Sequence, residues 1–210
     1  MSLYRPQHFA VDERASLRQV MRDHPFALLV SAGAGEPQFT HLPLVAREAG
    51  DRVVLLGHAA RANPHAARWR DGAAITAIFS GPSAYVAPSW YSTKEAVPTW
   101  NYIVVHAHGT LRVVDDRAGK EHILKALIDA HDPAYRAQWD TELAEDFRER
   151  MLRAIVGCEI AVERLEGKFK LSQNRPAPDQ SAVRAAHARG DAQARMLAEW
   201  MQRLGIGAAG

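Results

Sequence analysis

One cysteine in 210 residues excludes an intramolecular disulfide, and Cys158 alone points to a reducing compartment. No run approaches the eighteen or so uninterrupted apolar residues of a spanning helix. The opening Met1-Ser2-Leu3-Tyr4-Arg5-Pro6 lacks the apolar stretch of a signal peptide, so a cytoplasmic location is expected. A formal net charge of +2 is far from the basic excess of a dedicated nucleic-acid binder. Phosphate-loop glycines, zinc-finger spacing, a catalytic-serine elbow and a helix-turn-helix signature are all missing. What remains is an ordinary globular mixture, 47% hydrophobic and 24% charged, enough for a sizeable core.

The first half reads as short strands. Asp12 can cap a helix running to about His24, where Pro25 stops it. Phe26 to Ala32 follows as a buried strand closed at Gly33-Ala34-Gly35. A strand from Gln38 to Arg47 contains Pro43, which implies an edge or a bulge because proline donates nothing to a ladder. The Glu48-Ala49-Gly50-Asp51 turn leads to a strand over Arg52 to Leu56. Asn63-Pro64 has the form of a helix start, with the helix ending near Asp71-Gly72. Strands are expected at Ala73 to Phe79 and Ser83 to Ala87, separated by a Gly81-Pro82 turn, and a long one from Trp100 to about Val114.

Helical spacing then takes over at about 116–155, through Ile123, Leu124, Leu127 and Ile128 and then Leu143, Phe147, Met151 and Ile155. Gly157 to Leu171 returns to strand character, with a possible turn at Glu166-Gly167. The tail, 177–210, predicts one or two helices with Met196, Leu197, Trp200, Met201 and Leu204 on a sticky face. Short strand-to-strand connections argue for an antiparallel barrel over 1–176 rather than a βαβ fold.

Four segments are candidates for chemistry. Gly57 to His65 joins a strand to a helix start, where free N–H groups and the helix dipole suit a phosphate and Arg61 can clamp it. A capped helix with a surface arginine is the plain alternative. Pro88 to Asn101 holds Trp90, Tyr91 and Trp100 with Lys94 between them; the rings can wall a flat ligand or simply pack a core or interface. Strand alternation puts Trp100, Tyr102, Val104, His106 and His108 on one face and Asn101, Ile103 and Val105 on the other. His106 and His108 can chelate a metal if His58 or His41 supplies a third ligand, but no carboxylate or cysteine stands at diagnostic spacing, and hydrogen-bonded structural histidines are the plainer reading. Lys168 and Lys170 share a strand face that can meet an anion, or they close a solvated strand end.

These segments together resemble the PaiB family of negative transcriptional regulators. The resemblance rests on Tyr4-Arg5-Pro6-Gln7-His8-Phe9, His41-Leu42-Pro43-Leu44, Gly57-His58-Ala59-Ala60-Arg61-Ala62-Asn63-Pro64, Tyr85-Val86-Ala87-Pro88-Ser89-Trp90-Tyr91, Val97-Pro98-Thr99-Trp100-Asn101-Tyr102 and Gly167-Lys168-Phe169-Lys170-Leu171-Ser172-Gln173-Asn174. It implies a six-stranded antiparallel Greek-key split barrel with flanking helices that binds FMN and forms a homodimer, the flavin lying between subunits. By the same resemblance Arg61, Ala62 and Asn63 meet the phosphate. Trp90, Tyr91, Lys94, Trp100 and Asn101 lie on the ring side, with Lys168, Ser172 and Gln173 as further contacts. The family's name implies regulation, although nothing in the chain reads DNA directly. Flavin-dependent oxidoreduction, metal-assisted catalysis through His106 and His108, and heme binding are the other readings.

Overall fold

The computed structural model describes residues 3–32, 35–50 and 52–208; the turn expected at Gly33-Ala34 and the Asp51 end of the next lie outside the described residues. Among the described residues no helix is long and apolar enough to cross a membrane. The chain forms two compact units, one of residues 18–79 and 106–165, the other of 1–17, 80–105 and 166–210.

The larger unit is built on β2 (Phe26–Ser31), β3 (Gln38–Pro43), β4 (Val45–Ala49) and β5 (Arg52–Ala60), with parts of β6 (Ala74–Val86), β7 (Thr99–Val114) and β8 (Ile155–Lys170). The sheet order is β3-β2-β6-β7-β8-β5-β4, and the β2–β3, β2–β6, β4–β5 and β5–β8 ladders are antiparallel. With β1 (Ala10–Val11), which pairs β8 through Ala10–Lys168 and Val11–Gly167, the sheet has eight strands rather than the six expected. The strands at its two ends, β3 and β4, are separated in the chain by Leu44 alone. Two residues of chain span at most ~7 Å, so this sheet has to curl until its ends meet. Proline at 43 stops β3 there, and the Leu44 N–H turns away to the Pro25 carbonyl at 2.9 Å.

Curling brings backbones close. A Cβ on Gly57 would lie 2.6 and 2.7 Å from the Leu44 and Leu42 side chains, and one on Gly109 would lie 2.1 Å from the Ala161 carbonyl oxygen. Helix α2 (Arg117–His131) packs Ile123, Ala126 and Leu127 against Val45, Leu56 and Val114, and α3 (Tyr135–Thr141) and α4 (Glu145–Arg153) follow it. Cys158 lies opposite Gly57 in the β5–β8 ladder, fully buried, its thiol pushed up to about 12 by desolvation.

The smaller unit takes the other parts of β6, β7 and β8, together with α5 (Ala177–Ala188) and α6 (Ala192–Arg203). Its core includes Phe169, Leu171, Val183, Leu197 and Met201, with the Phe169 and Trp200 rings edge to face at 5.2 Å. Helix α1 (Arg14–Asp23) starts where expected, but Glu13 is its cap, accepting from Ala15 and Ser16, while Asp12 pairs with Arg5.

Three local expectations are corrected. Residues 63–71 form only a 3-10 turn at Ala66–Arg68, not an α-helix. Gly81-Pro82 lies inside β6, where a glycine lets the strand approach Ile103 (3.1 Å from a would-be Cβ). Glu166-Gly167 lies inside β8 and pairs β1, with no room for a side chain at 167 beside Leu17.

Gly109→Ala forces β7 off the Ala161 carbonyl and should cost about 3 kcal/mol, the upper end of overpacking penalties. Gly57→Ala meets mainly the flexible ends of two leucines and should cost ~1 kcal/mol. Urea midpoints of the two variants test this ranking.

Candidate functional site

In the larger unit, the turn after β5 stands beside the seam where the sheet closes. A cleft of about 320 Å³ opens there, lined by Thr40, His41 and Pro43 from β3, His58 from β5, and Asn63. Asn63 shapes the turn: its side-chain oxygen accepts the His65 N–H at 2.9 Å, and its amide reaches the Thr40 hydroxyl at 3.2 Å. His65 is drawn under the sheet. Its two ring nitrogens lie 2.8 Å from Ser31 Oγ and 3.0 Å from Thr40 Oγ1, and its ring meets Trp69 edge-on. Burying His65 and Trp69 explains why the segment coils into a short turn instead of extending as a helix. His58 Nδ1 is buried without a hydrogen-bond partner among the described residues, and desolvation lowers the pKa of its ring.

Arg61 is not idle on this surface. Its guanidinium pairs with Asp115 and donates to the carbonyls of Arg153 and Ile155, each at 2.9 Å, while its N–H bonds the Ala154 carbonyl at 2.8 Å. Asp115 also accepts from the buried Lys120 ammonium at 3.2 Å. Two cations thus share one carboxylate, which leaves a surplus positive charge at the turn and holds the Asp115 carboxyl below its usual range through the Arg61 hydrogen bond. Ala62 lies between Arg61 and Asn63 in the same exposed turn.

The other residues expected to meet the flavin all belong to the smaller unit. Asn101 is fully buried, its amide 3.1 Å from Ser172 Oγ and 3.2 Å from His187 Nε2, and the His187 ring meets Trp90 edge-on at 5.6 Å. Ser172 takes a left-handed backbone conformation, φ 68°, to reach this network. Gln173 folds back onto the Leu171 N–H and the Phe169 carbonyl, and Tyr91 is buried beneath the Arg175 guanidinium at 4.2 Å. Asn101, Ser172, Gln173, Trp90 and Tyr91 therefore knit α5 to β7 and the Pro88–Trp90 turn. Sequence reasoning missed His187 and Asp179, whose carboxylate accepts the Ser92 N–H at 2.8 Å; no spacing signal linked the tail to that loop.

The opposite face of β7 is open. Trp100 is 54% exposed and meets the Tyr85 ring edge-on. The Lys168 ammonium bonds the Tyr4 carbonyl at 2.8 Å and lies over the Tyr4 and Tyr102 rings, and Lys170 donates to Thr99. Lys94 is exposed in the loop before β7. In the larger unit, His106 and His108 share the half-exposed face of β7 as expected, with His108 bonding Thr76 at 3.0 Å. His41 stacks on Phe26 and His58 lines the seam cleft, so neither supplies them a third ligand.

Burial lowers the pKa of His24, His58, His65 and His187 below 6.5 in the folded chain, desolvation being the largest cause in each. The unfolded chain therefore takes up protons first as the pH falls, and stability should decline from about pH 6.5 downward. Thermal melts between neutral and acid pH should show this slope, and His187→Gln should make it shallower.

Comparison with known proteins bears on these surfaces. A family model described as "Putative FMN-binding domain" matches residues 3–164. The chain is 35% identical over 188 residues to protease synthase and sporulation protein PAI 2 of Bacillus subtilis, covering 86% of this chain and 87% of that protein. It is 31% identical to an uncharacterized protein of Emericella nidulans, over 80% and 83% of the two chains. Among solved structures, it superposes on the FAD and heme binding protein from Mycobacterium smegmatis with a TM-score of 0.58 at 21% identity, covering 77% and 73%. The flavocytochrome Anf3 from Azotobacter vinelandii gives a TM-score of 0.54 at 16% identity, covering 77% and 69%. The chain belongs to the FMN-binding domain family, the PaiB family of the sequence resemblance, whose cofactor is FMN.

Proposed function

We propose that the chain is a homodimeric, split-barrel FMN-binding protein that acts in negative regulation, the role the sequence resemblance implies; the PAI 2 relative is named for protease synthesis and sporulation. The observation that carries the FMN assignment is the seam cleft beside a turn with surplus positive charge. Arg61, Ala62 and Asn63 take the phosphate end: Asn63 and His58 offer polar atoms at the cleft, and the Arg61–Asp115–Lys120 group supplies a net cation. In the smaller unit, Trp100 with Tyr85 offers an exposed aromatic surface on which a flavin ring can stack; Lys170 is half-buried and bonded to Thr99, Lys168 is buried against Tyr4 and Tyr102, and Lys94 stands nearby in sequence. Trp90, Tyr91, Asn101, Ser172 and Gln173 hold that surface in place from behind. Bound FMN supplies a two-electron redox centre, and these residues bind and orient it.

Dimerisation covers Trp100, Tyr85 and Val97, an exposed apolar group too large to lie bare. Regulation does not run through tight DNA binding by this protein alone, because a net charge of +2 releases few counterions. A footprint on duplex DNA at nanomolar protein and physiological salt would overturn that part. Rapid oxidation of NADH by the flavin-loaded protein would move the assignment to an oxidoreductase.

Arg61→Ala should weaken FMN about 10- to 100-fold, the ~1.5–3 kcal/mol of a lost charge-assisted bond. Riboflavin, without the phosphate, should bind variant and parent alike. Because Arg61 also ties β5 to the start of β8, the melting temperature should drop as well; equal losses for both flavins would make that structural tie its whole role.

A further inference from the structure

A second pocket lies in the larger unit, on the side formed by α1, the edge strand β4 and the C-terminal end of α2. Its volume is about 310 Å³, at the low end of the ~300–1,000 Å³ typical of small-molecule sites. The floor is apolar: Met21, Leu44 and Val45 are buried there. The rim is cationic, with Arg22 from α1 and Arg47 from β4, both exposed. Asp129 on the same rim is already paired with Arg136 at 2.6 Å. Arg22 spends one nitrogen on the neutral Gln19 side chain, and Arg47 has no ion-pair partner among the described residues. The adjoining groove adds Arg18, whose Nε is buried without a partner among the described residues although its terminal nitrogen pairs with Glu48.

An apolar floor beneath two guanidinium groups with no carboxylate partner among the described residues matches one ligand chemistry. We propose that this pocket binds a small organic acid, its hydrocarbon or aryl body on Met21, Leu44 and Val45 and its carboxylate between Arg22 and Arg47. The guanidinium fork is suited to a planar carboxylate, and the buried floor rewards an apolar body that a bare inorganic anion lacks. None of these residues lines the cleft at Asn63, so the site is separate from the one assigned to FMN.

The test uses the full chain with methyl-labelled methionine, reading the Met21 methyl by NMR and assigning it with Met21→Leu. Benzoate should move that signal saturably, while benzyl alcohol and inorganic phosphate should each bind at least tenfold more weakly. Arg47→Gln and Arg22→Gln should each weaken benzoate about tenfold and leave FMN affinity and the melting temperature unchanged. Equal binding of benzoate and benzyl alcohol, a Met21 signal that benzoate does not move, or benzoate binding indifferent to both arginine substitutions would each overturn the proposal. A loss of FMN binding in these arginine variants would instead fault the separation of the two sites.

Discussion

The one-residue link at Leu44, between Pro43 and Val45, governs the larger unit. It ties the two end strands of one sheet within two residues of chain, and a sheet so tethered cannot lie flat. Hydrogen bonding and burial then follow from the curl. Glycine at 109 admits the neighbouring backbone where any side chain would push it away, and glycine at 57 leaves room for the Leu42 and Leu44 side chains. The cleft at Thr40, His58 and Asn63 is the gap this seam leaves, and the organic-acid pocket lies where β4 turns away from it. Both hollows in this unit thus derive from one short link.

Two buried polar side chains, His65 and Asn101, sit in closed sets. His65 is held by two hydroxyls, and Asn101 by a hydroxyl and an imidazole. Each set would be costly half-made, since a buried donor or acceptor without a partner forfeits ~1–3 kcal/mol. Such sets favour one arrangement of the chain over near alternatives, because a shifted register would leave several polar atoms stranded together. The Asn101 set fixes the tail helices to β7; the His65 set fixes the turn that carries Arg61.

Local patterns were legible where the physics is local. The alternation along β7, which buries Asn101, Ile103 and Val105 and exposes Trp100, was readable from period two, and α1 and the helical tail from helical spacing; the strand read as running from Gln38 to Arg47 instead ends at Pro43 and resumes as β4. Long-range partners were not. Gly81-Pro82 and Glu166-Gly167 have turn composition, yet each sits within a strand because Ile103 or Leu17 needs the space that glycine leaves. Asn63-Pro64 carries a helix-start signal that the burial of His65 and Trp69 overrides. Arg61 stood out as a phosphate ligand, but its carboxylate partner, Asp115, lies 54 residues away and no spacing rule connects them.

Cys158 gives the molecule an unplanned sensor. Fully buried opposite Gly57 in the β5–β8 ladder, with its thiol held protonated to about pH 12, it stays silent toward alkylating and oxidising reagents while β5 and β8 remain paired. A protein that carries a flavin, a source of peroxide when it meets oxygen, thereby keeps its only sulfhydryl out of that chemistry's reach. The same shielding makes thiol labelling a clock for the opening of the β5–β8 ladder: the rate at which a reagent captures Cys158 counts the moments when the two strands part.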